Sequence, residues 1–113
     1  MQVVNISKKE LNKIGYKNLE EWLKNKNNIY IGRNMSFYVK GAEGSKWANP
    51  FSVKKYGRDK CIRLYERYIL GNEKLYKDLD ELKDKNLGCW CYPLECHGDI
   101  LIKLYNKKKN NDI

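Results

Sequence analysis

A small α/β domain with a short, mainly parallel sheet flanked by helices is the fold class the sequence predicts, and three observations carry it. Three short apolar runs, Gln2–Ile6, Asn28–Gly32 and Leu87–Cys91, read as strands. Apolar residues recur at helical spacing between and after them. The resulting order of strand, helix, strand, helices, strand and helix is that of parallel strands joined by crossovers.

Gln2-Val3-Val4-Asn5-Ile6 supplies the first strand, and Ser7 is placed to cap the next segment. Leu11 and Ile14, then Leu19, Trp22 and Leu23, mark two short amphipathic helical stretches interrupted at Gly15, with Glu20 and Glu21 near the start of the second. Asn25 to Asn28 is a polar turn. The second strand, Asn28 to Gly32, alternates incompletely, as a strand buried on both faces does. Ser36-Phe37-Tyr38-Val39 reads as a further strand, paired with the second through the Gly32 to Met35 turn. Gly41 to Ser45 is a flexible loop leading into Lys46-Trp47-Ala48-Asn49-Pro50-Phe51, which is too aromatic to serve only as a connector.

From Arg58 the pattern is strongly helical, with Cys61, Leu64, Tyr65, Tyr68 and Ile69 on one face and Arg63, Glu66 and Arg67 on the other. Gly71-Asn72 ends it. A second helix directs Leu75, Leu79 and Leu82 inward. The last strand, Leu87 to Cys91, is followed by the Tyr92 to Gly98 loop and a helix from Asp99 to about Lys107. This gives one domain over residues 1–106 and a basic flexible tail over 107–113. Right-handed crossovers would bring the Arg33 turn beside the Cys96-His97-Gly98-Asp99 turn.

The 113 residues suffice for one core, and the net charge of +9 favours polyanions through long-range attraction. Part of that excess lies in the Lys107-Lys108-Lys109 run. No run reaches the roughly 20 apolar residues of a membrane helix. Met1 to Ser7 is too short and too quickly charged for a signal peptide. An intracellular location is expected, with no membrane partner.

The chemistry gathers in Gly88 to Asp99, which holds three of the four cysteines and the single histidine. On a strand, Cys89 and Cys91 would point to one face and Trp90 to the other. Cys89 then reads as a buried structural thiol, whereas Cys91 at the exposed strand end could join Cys96 and His97 in a site. Four soft ligands, Cys89, Cys91, Cys96 and His97, raise the zinc alternative, but their spacing is unlike that of zinc knuckles, which draw on pairs from separated segments. A Cys91–Cys96 disulfide would not persist in a reducing compartment. The start of the last helix favours an anion and lowers the pKa of a nearby thiol. There Gly98 would admit a ligand to the backbone, and Asp99 would cap the helix. Arg33 and Lys46, Trp47 and Asn49 supply cations for phosphate, a plane for a base and an amide that both donates and accepts.

Three blocks, Ile29-Tyr30-Ile31-Gly32-Arg33, Ser45-Lys46-Trp47-Ala48-Asn49-Pro50-Phe51 and Leu87-Gly88-Cys89-Trp90-Cys91 with Pro93 and Cys96-His97-Gly98-Asp99, resemble the signature blocks of the DUF4326 family. These are small proteins of phages, bacteria and large DNA viruses. Ala48 stands where the family usually has glycine, and Asn34 to Gly44 looks like an insertion. The resemblance implies a compact Rossmann-like domain, a role in nucleotide or nucleic-acid metabolism, and, for a viral protein, a place in the host cytoplasm or virion. It also implies that Arg33, Trp47, Asn49, Cys91, Cys96, His97 and Asp99 line one pocket.

The expectation is therefore a protein that binds a nucleotide or related phosphorylated small molecule at the carboxyl edge of the sheet, with no metal and no specified cofactor. If it is an enzyme, Cys96 or Cys91 is the nucleophile, His97 the acid or base and Arg33 the anion clamp. The alternatives are a noncatalytic nucleic-acid-binding module using the basic surface and a zinc-stabilised interaction module.

Overall fold

The computed structural model describes residues 1–111; Asp112 and Ile113, the end of the expected basic tail, lie outside the described residues. In chain order the elements are β1 (Gln2–Asn5), α1 (Lys8–Lys13), α2 (Leu19–Trp22), β2 (Asn28–Tyr30), α3 (Val53–Tyr56), α4 (Arg58–Leu70), α5 (Glu73–Asp78), a 3-10 turn (Leu79–Leu82), β3 (Asn86–Cys89) and α6 (His97–Asn111). The three strands form one parallel sheet in the order β1-β3-β2. The last strand in sequence is thus the central one, as crossover connections permit.

Local chemistry accounts for most element ends. Ser7 Oγ accepts the Glu10 N–H at the start of α1, and the side chains of Asn18, Ser52 and Asn72 cap α2, α3 and α5 in the same way. Gly15, at φ +95°, takes the left-handed conformation between α1 and α2.

The register separates two side-chain layers. Val3, Leu87 and Ile29 are aligned across the sheet, as are Val4, Gly88 and Tyr30. The first row belongs to the larger core, which includes Trp47, Tyr65, Ile69, Leu79, Leu82, Leu101 and Leu104. The second row meets a smaller core of Ile6, Leu11, Leu19, Trp22 and Ala42. Gly88 is where this second layer comes closest: a Cβ there would lie 2.8 Å from both Ile6 Cγ2 and Trp22 Cζ3. The buried Trp22 ring takes the space a side chain would need.

The structure corrects several expectations. Ser36–Val39 forms no strand: Tyr38 and Val39 donate their N–H groups to the Met35 carbonyl, and Phe37 and Tyr38 are 92% and 79% exposed. The loop instead closes through Met35 N–H to Ala42 O at 2.8 Å and Ser45 N–H to Gly32 O at 3.1 Å. Ile14 faces solvent, while Ile62, absent from the expected apolar face of α4, is buried. The short helix α3 was not foreseen, and the second helix divides into α5 and the 3-10 turn. Strand β3 ends at Cys89, so Cys91 lies in the following loop and the strand alternation does not govern it. Helix α6 starts at His97 rather than Asp99 and runs past Lys107 to Asn111. Among the described residues no helix is long and apolar enough to cross a membrane.

Gly88→Ala tests the close approach at the central strand. Overpacking Trp22 and Ile6 is expected to cost about 1–3 kcal/mol of stability, read as a lower urea midpoint at unchanged slope. An unshifted midpoint would show that the layer yields without cost.

Candidate functional site

Beyond Tyr30 and Cys89 the strands leave the sheet and a cavity of about 110 Å³ opens. It lies at the carboxyl ends of β2 and β3, beside the first turn of α6, where ligands bind in open parallel sheets. All four cysteines and the single histidine line it. Arg33 and Asn49 do so too, together with Phe51, Arg58 and Trp90, which were not placed in the site from the sequence.

Two thiols at its base touch. Cys89 Sγ and Cys96 Sγ are 3.1 Å apart, and both residues are buried. They share one hydrogen bond, so the first proton to leave is stabilised by the thiol that remains. Backbone N–H groups of Cys91 and Tyr92 also favour a thiolate at Cys89. The Cys96 hydrogen bond is the main reason the Cys89 thiol falls to about 6. Cys96 is held above the ordinary thiol value, first by that bond and then by burial. Cys89, read from the sequence as structural, is thus the more easily ionised thiol of this pair.

His97 opens α6, and its Nε2 lies 2.7 Å from the Ile31 carbonyl. A carbonyl only accepts, so Nε2 carries the proton and Nδ1 is left as an acceptor. Tyr65 packs edge-on against the imidazole at 5.1 Å. Burial lowers the His97 pKa from 6.5, the Ile31 hydrogen bond opposes that shift, and the Arg33 charge adds to it. The ring is neutral at pH 7. Asp99 is not the helix cap: its Oδ2 accepts the Cys96 N–H at 3.0 Å, while its own N–H donates to the Cys96 carbonyl at 3.0 Å. This is the reach-back half of a capping box.

Several expected site residues serve the fold. Trp47 is 1% exposed, and its carbonyl accepts the Tyr65 hydroxyl at 2.7 Å. Lys46 pairs with Glu81 and, at 3.0 Å, with Asp78. Neither lines the cavity. Asn49 does, but its amide is engaged within the protein: Nδ2 donates to Cys61 Sγ at 3.1 Å and Oδ1 accepts the Phe51 N–H at 2.9 Å. A Cβ at Gly98 would lie 2.9 Å from Val3 Cγ2 and 3.1 Å from Ile31 Cδ1, so the missing side chain brings α6 onto the sheet. Arg58 Nη1 donates to the Glu95 carbonyl at 2.8 Å, tying α4 to the thiol loop. The sequence signal for it was its place at the start of the helical pattern. Among the described residues Arg33 has no ion-pair partner.

Fold and site together define a small parallel α/β protein with a thiol-rich cavity at the carboxyl edge of its sheet. The chain belongs to the family described as a domain of unknown function (DUF4326), which matches residues 14–107. It is 40% identical over 86 residues to "Uncharacterized protein R718" of Acanthamoeba polyphaga mimivirus, a match covering 68% of this chain and 65% of that one. It is also 31% identical over 80 residues to "Uncharacterized 12.4 kDa protein in nrdA-td intergenic region" of Enterobacteria phage T4, covering 67% of this chain and 74% of that one. The chain thus spans a little under two thirds of the mimivirus protein's length. No solved structure matches it.

A lowered His97 pKa has a definite consequence for stability. The unfolded chain takes up the proton more readily than the native state, so the stability that His97 contributes is complete above about pH 6.5 and is lost as pH drops below it. The single histidine gives one pair of imidazole C–H resonances in an NMR titration, with an expected midpoint below 6.5. A midpoint at or above that value would contradict the partly buried, neutral ring.

Proposed function

We propose that this cavity binds a nucleotide or a related phosphorylated small molecule at the carboxyl edge of the sheet. The observation that carries the reading is Arg33: a cation at the exit of β2, on the cavity, without an ion-pair partner among the described residues. A guanidinium in that position matches a phosphate with two parallel hydrogen bonds. Arg58 lines the same space.

The enclosed volume of about 110 Å³ is below the range of roughly 300–1,000 Å³ usual for drug-sized ligands. The ligand would therefore place one group inside and leave the rest along the open side. Phe51 and the partly exposed Trp90, rather than Trp47, are the aromatics available to such a ligand. Processing of the bound molecule would use Cys89 as nucleophile in preference to Cys96, because its thiolate is the better stabilised. His97 Nδ1 would accept a proton.

The nucleic-acid reading has less support. Two of the lysines it would draw on are paired, Lys46 with Asp78 and Glu81, and Lys108 with Asp80. The zinc reading is weakened by positive contacts: the Cys89 and Cys96 thiols meet each other, and His97 Nε2 is committed to Ile31.

Thermal-shift measurements across nucleotides, nucleosides and ADP-ribose-like compounds test the proposal. Phosphorylated compounds are expected to raise the melting temperature where their nucleosides do not. Arg33→Ala is expected to weaken binding by about 10- to 100-fold, the equivalent of losing charge-assisted hydrogen bonds. A panel in which no phosphorylated compound stabilises the protein would refute it.

A further inference from the structure

We propose that Cys89 and Cys96 are a redox-active dithiol that reacts with a hydroperoxide entering the cavity and closes to a disulfide. The pairing is neither the Cys91–Cys96 one considered from the sequence nor that of the nearest neighbours in the chain, Cys89 and Cys91. Folding instead sets the end of the central strand against the residue preceding α6, leaving the two sulfurs in direct contact at 3.1 Å. Both line the cavity, so a small oxidant reaches them by the same opening as any ligand.

The two thiols have different environments, which assigns their roles. Cys89 receives backbone N–H groups from Cys91 and Tyr92 and the hydrogen bond of its partner, so it is the attacking thiolate. Cys96 is the protonated partner, and it resolves. Cys89 sulfur attacks one peroxide oxygen, the O–O bond breaks, and the departing oxygen takes a proton to leave as an alcohol or water. Cys89 is then a sulfenic acid. Cys96 sulfur loses its proton and attacks the Cys89 sulfur, expelling water. The two thiols give up two electrons, the hydroperoxide takes both, and one disulfide forms. In a reducing compartment such a bond is transient, as expected for a catalytic or sensing pair rather than a structural one.

The reaction needs no other ligand, so its outcome is separable from the nucleotide reading. The full reduced chain, freed of reductant, is treated with one equivalent of hydrogen peroxide, then alkylated, digested and mapped by mass spectrometry. Loss of about 2 Da, the two hydrogens of a new disulfide, with Cys89 and Cys96 in one cross-linked peptide, is expected. In Cys96→Ser, Cys89 is expected to remain as a sulfenic acid trapped by dimedone, with no disulfide. In Cys89→Ser, peroxide consumption is expected to fall by about tenfold or more, as loss of the activated thiolate requires. A cross-link through Cys91 or Cys61, or four thiols left intact by peroxide, would overturn the proposal. The wild-type map decides the pairing even where a variant does not fold.

Discussion

The structure depends on register, and a ladder of side-chain amides sets it. Gln2 Nε2 donates to Asn86 Oδ1 at 3.1 Å, Asn86 Nδ2 to Asn28 Oδ1 at 2.7 Å, and Asn28 Nδ2 to the Trp22 carbonyl at 2.8 Å. These residues occupy one row at the amino ends of all three strands. A slip of one residue would break the ladder and exchange the two faces of a strand. Leu87 would then leave the larger core and Gly88 would no longer lie beneath Trp22. The apolar layers supply most of the burial and oppose the same slip, since it would move each row into the other core.

Register at one end of short strands determines what is presented at the other. Backbone bonds continue the ladder one step past the strands, with Ile6 N–H to Cys89 O at 3.0 Å and Ile31 N–H to Gly88 O at 3.1 Å. Beyond these bonds the three segments diverge. Asn5 binds the Tyr92 carbonyl, and Trp90 turns its indole N–H to the Tyr30 hydroxyl at 3.1 Å. That hydroxyl in turn donates to the Arg33 carbonyl at 2.6 Å. Gly32 has no side chain where the Tyr30 phenol passes. The cavity is therefore walled by the same contacts that end the sheet, and its cysteines are fixed by backbone positions that the strands control.

Much of this was legible in the sequence because it is local. The three strands, the Ser7 cap, the break at Gly15 and the inward Leu75, Leu79 and Leu82 all follow from patterns within a few residues. Parallel order also brought the Arg33 and His97 turns to one edge. The rest turned on distant partners. Phe37, Tyr38 and Val39 have strand-like character, yet β2 pairs only with β3. Lys46 resembles a phosphate ligand until Asp78 and Glu81, more than thirty residues later, are seen to hold it. Trp47 resembles a stacking plane until α4 delivers the Tyr65 hydroxyl to its carbonyl. Cys89 looked inert because burial was equated with inactivity, whereas its ionisation is governed by what it is buried against.

That last distinction explains how one helix start serves two purposes. The amino-terminal turn of α6 concentrates N–H groups and partial positive charge. On its outer side Asp99, an exposed carboxylate, takes the Cys96 N–H and fixes the turn. On its inner side the Gly98 N–H is directed toward the Cys96 sulfur. Asp99 is also negative, so its charge opposes ionisation of both Cys89 and Cys96. Cys89 therefore gains its acidity from short-range hydrogen bonds and not from net positive charge around it. The arginines Arg33 and Arg58 lie on the same cavity but leave the Cys89 thiolate to its N–H donors and to Cys96. Cation and thiolate chemistry thus occupy one space with separate physical supports.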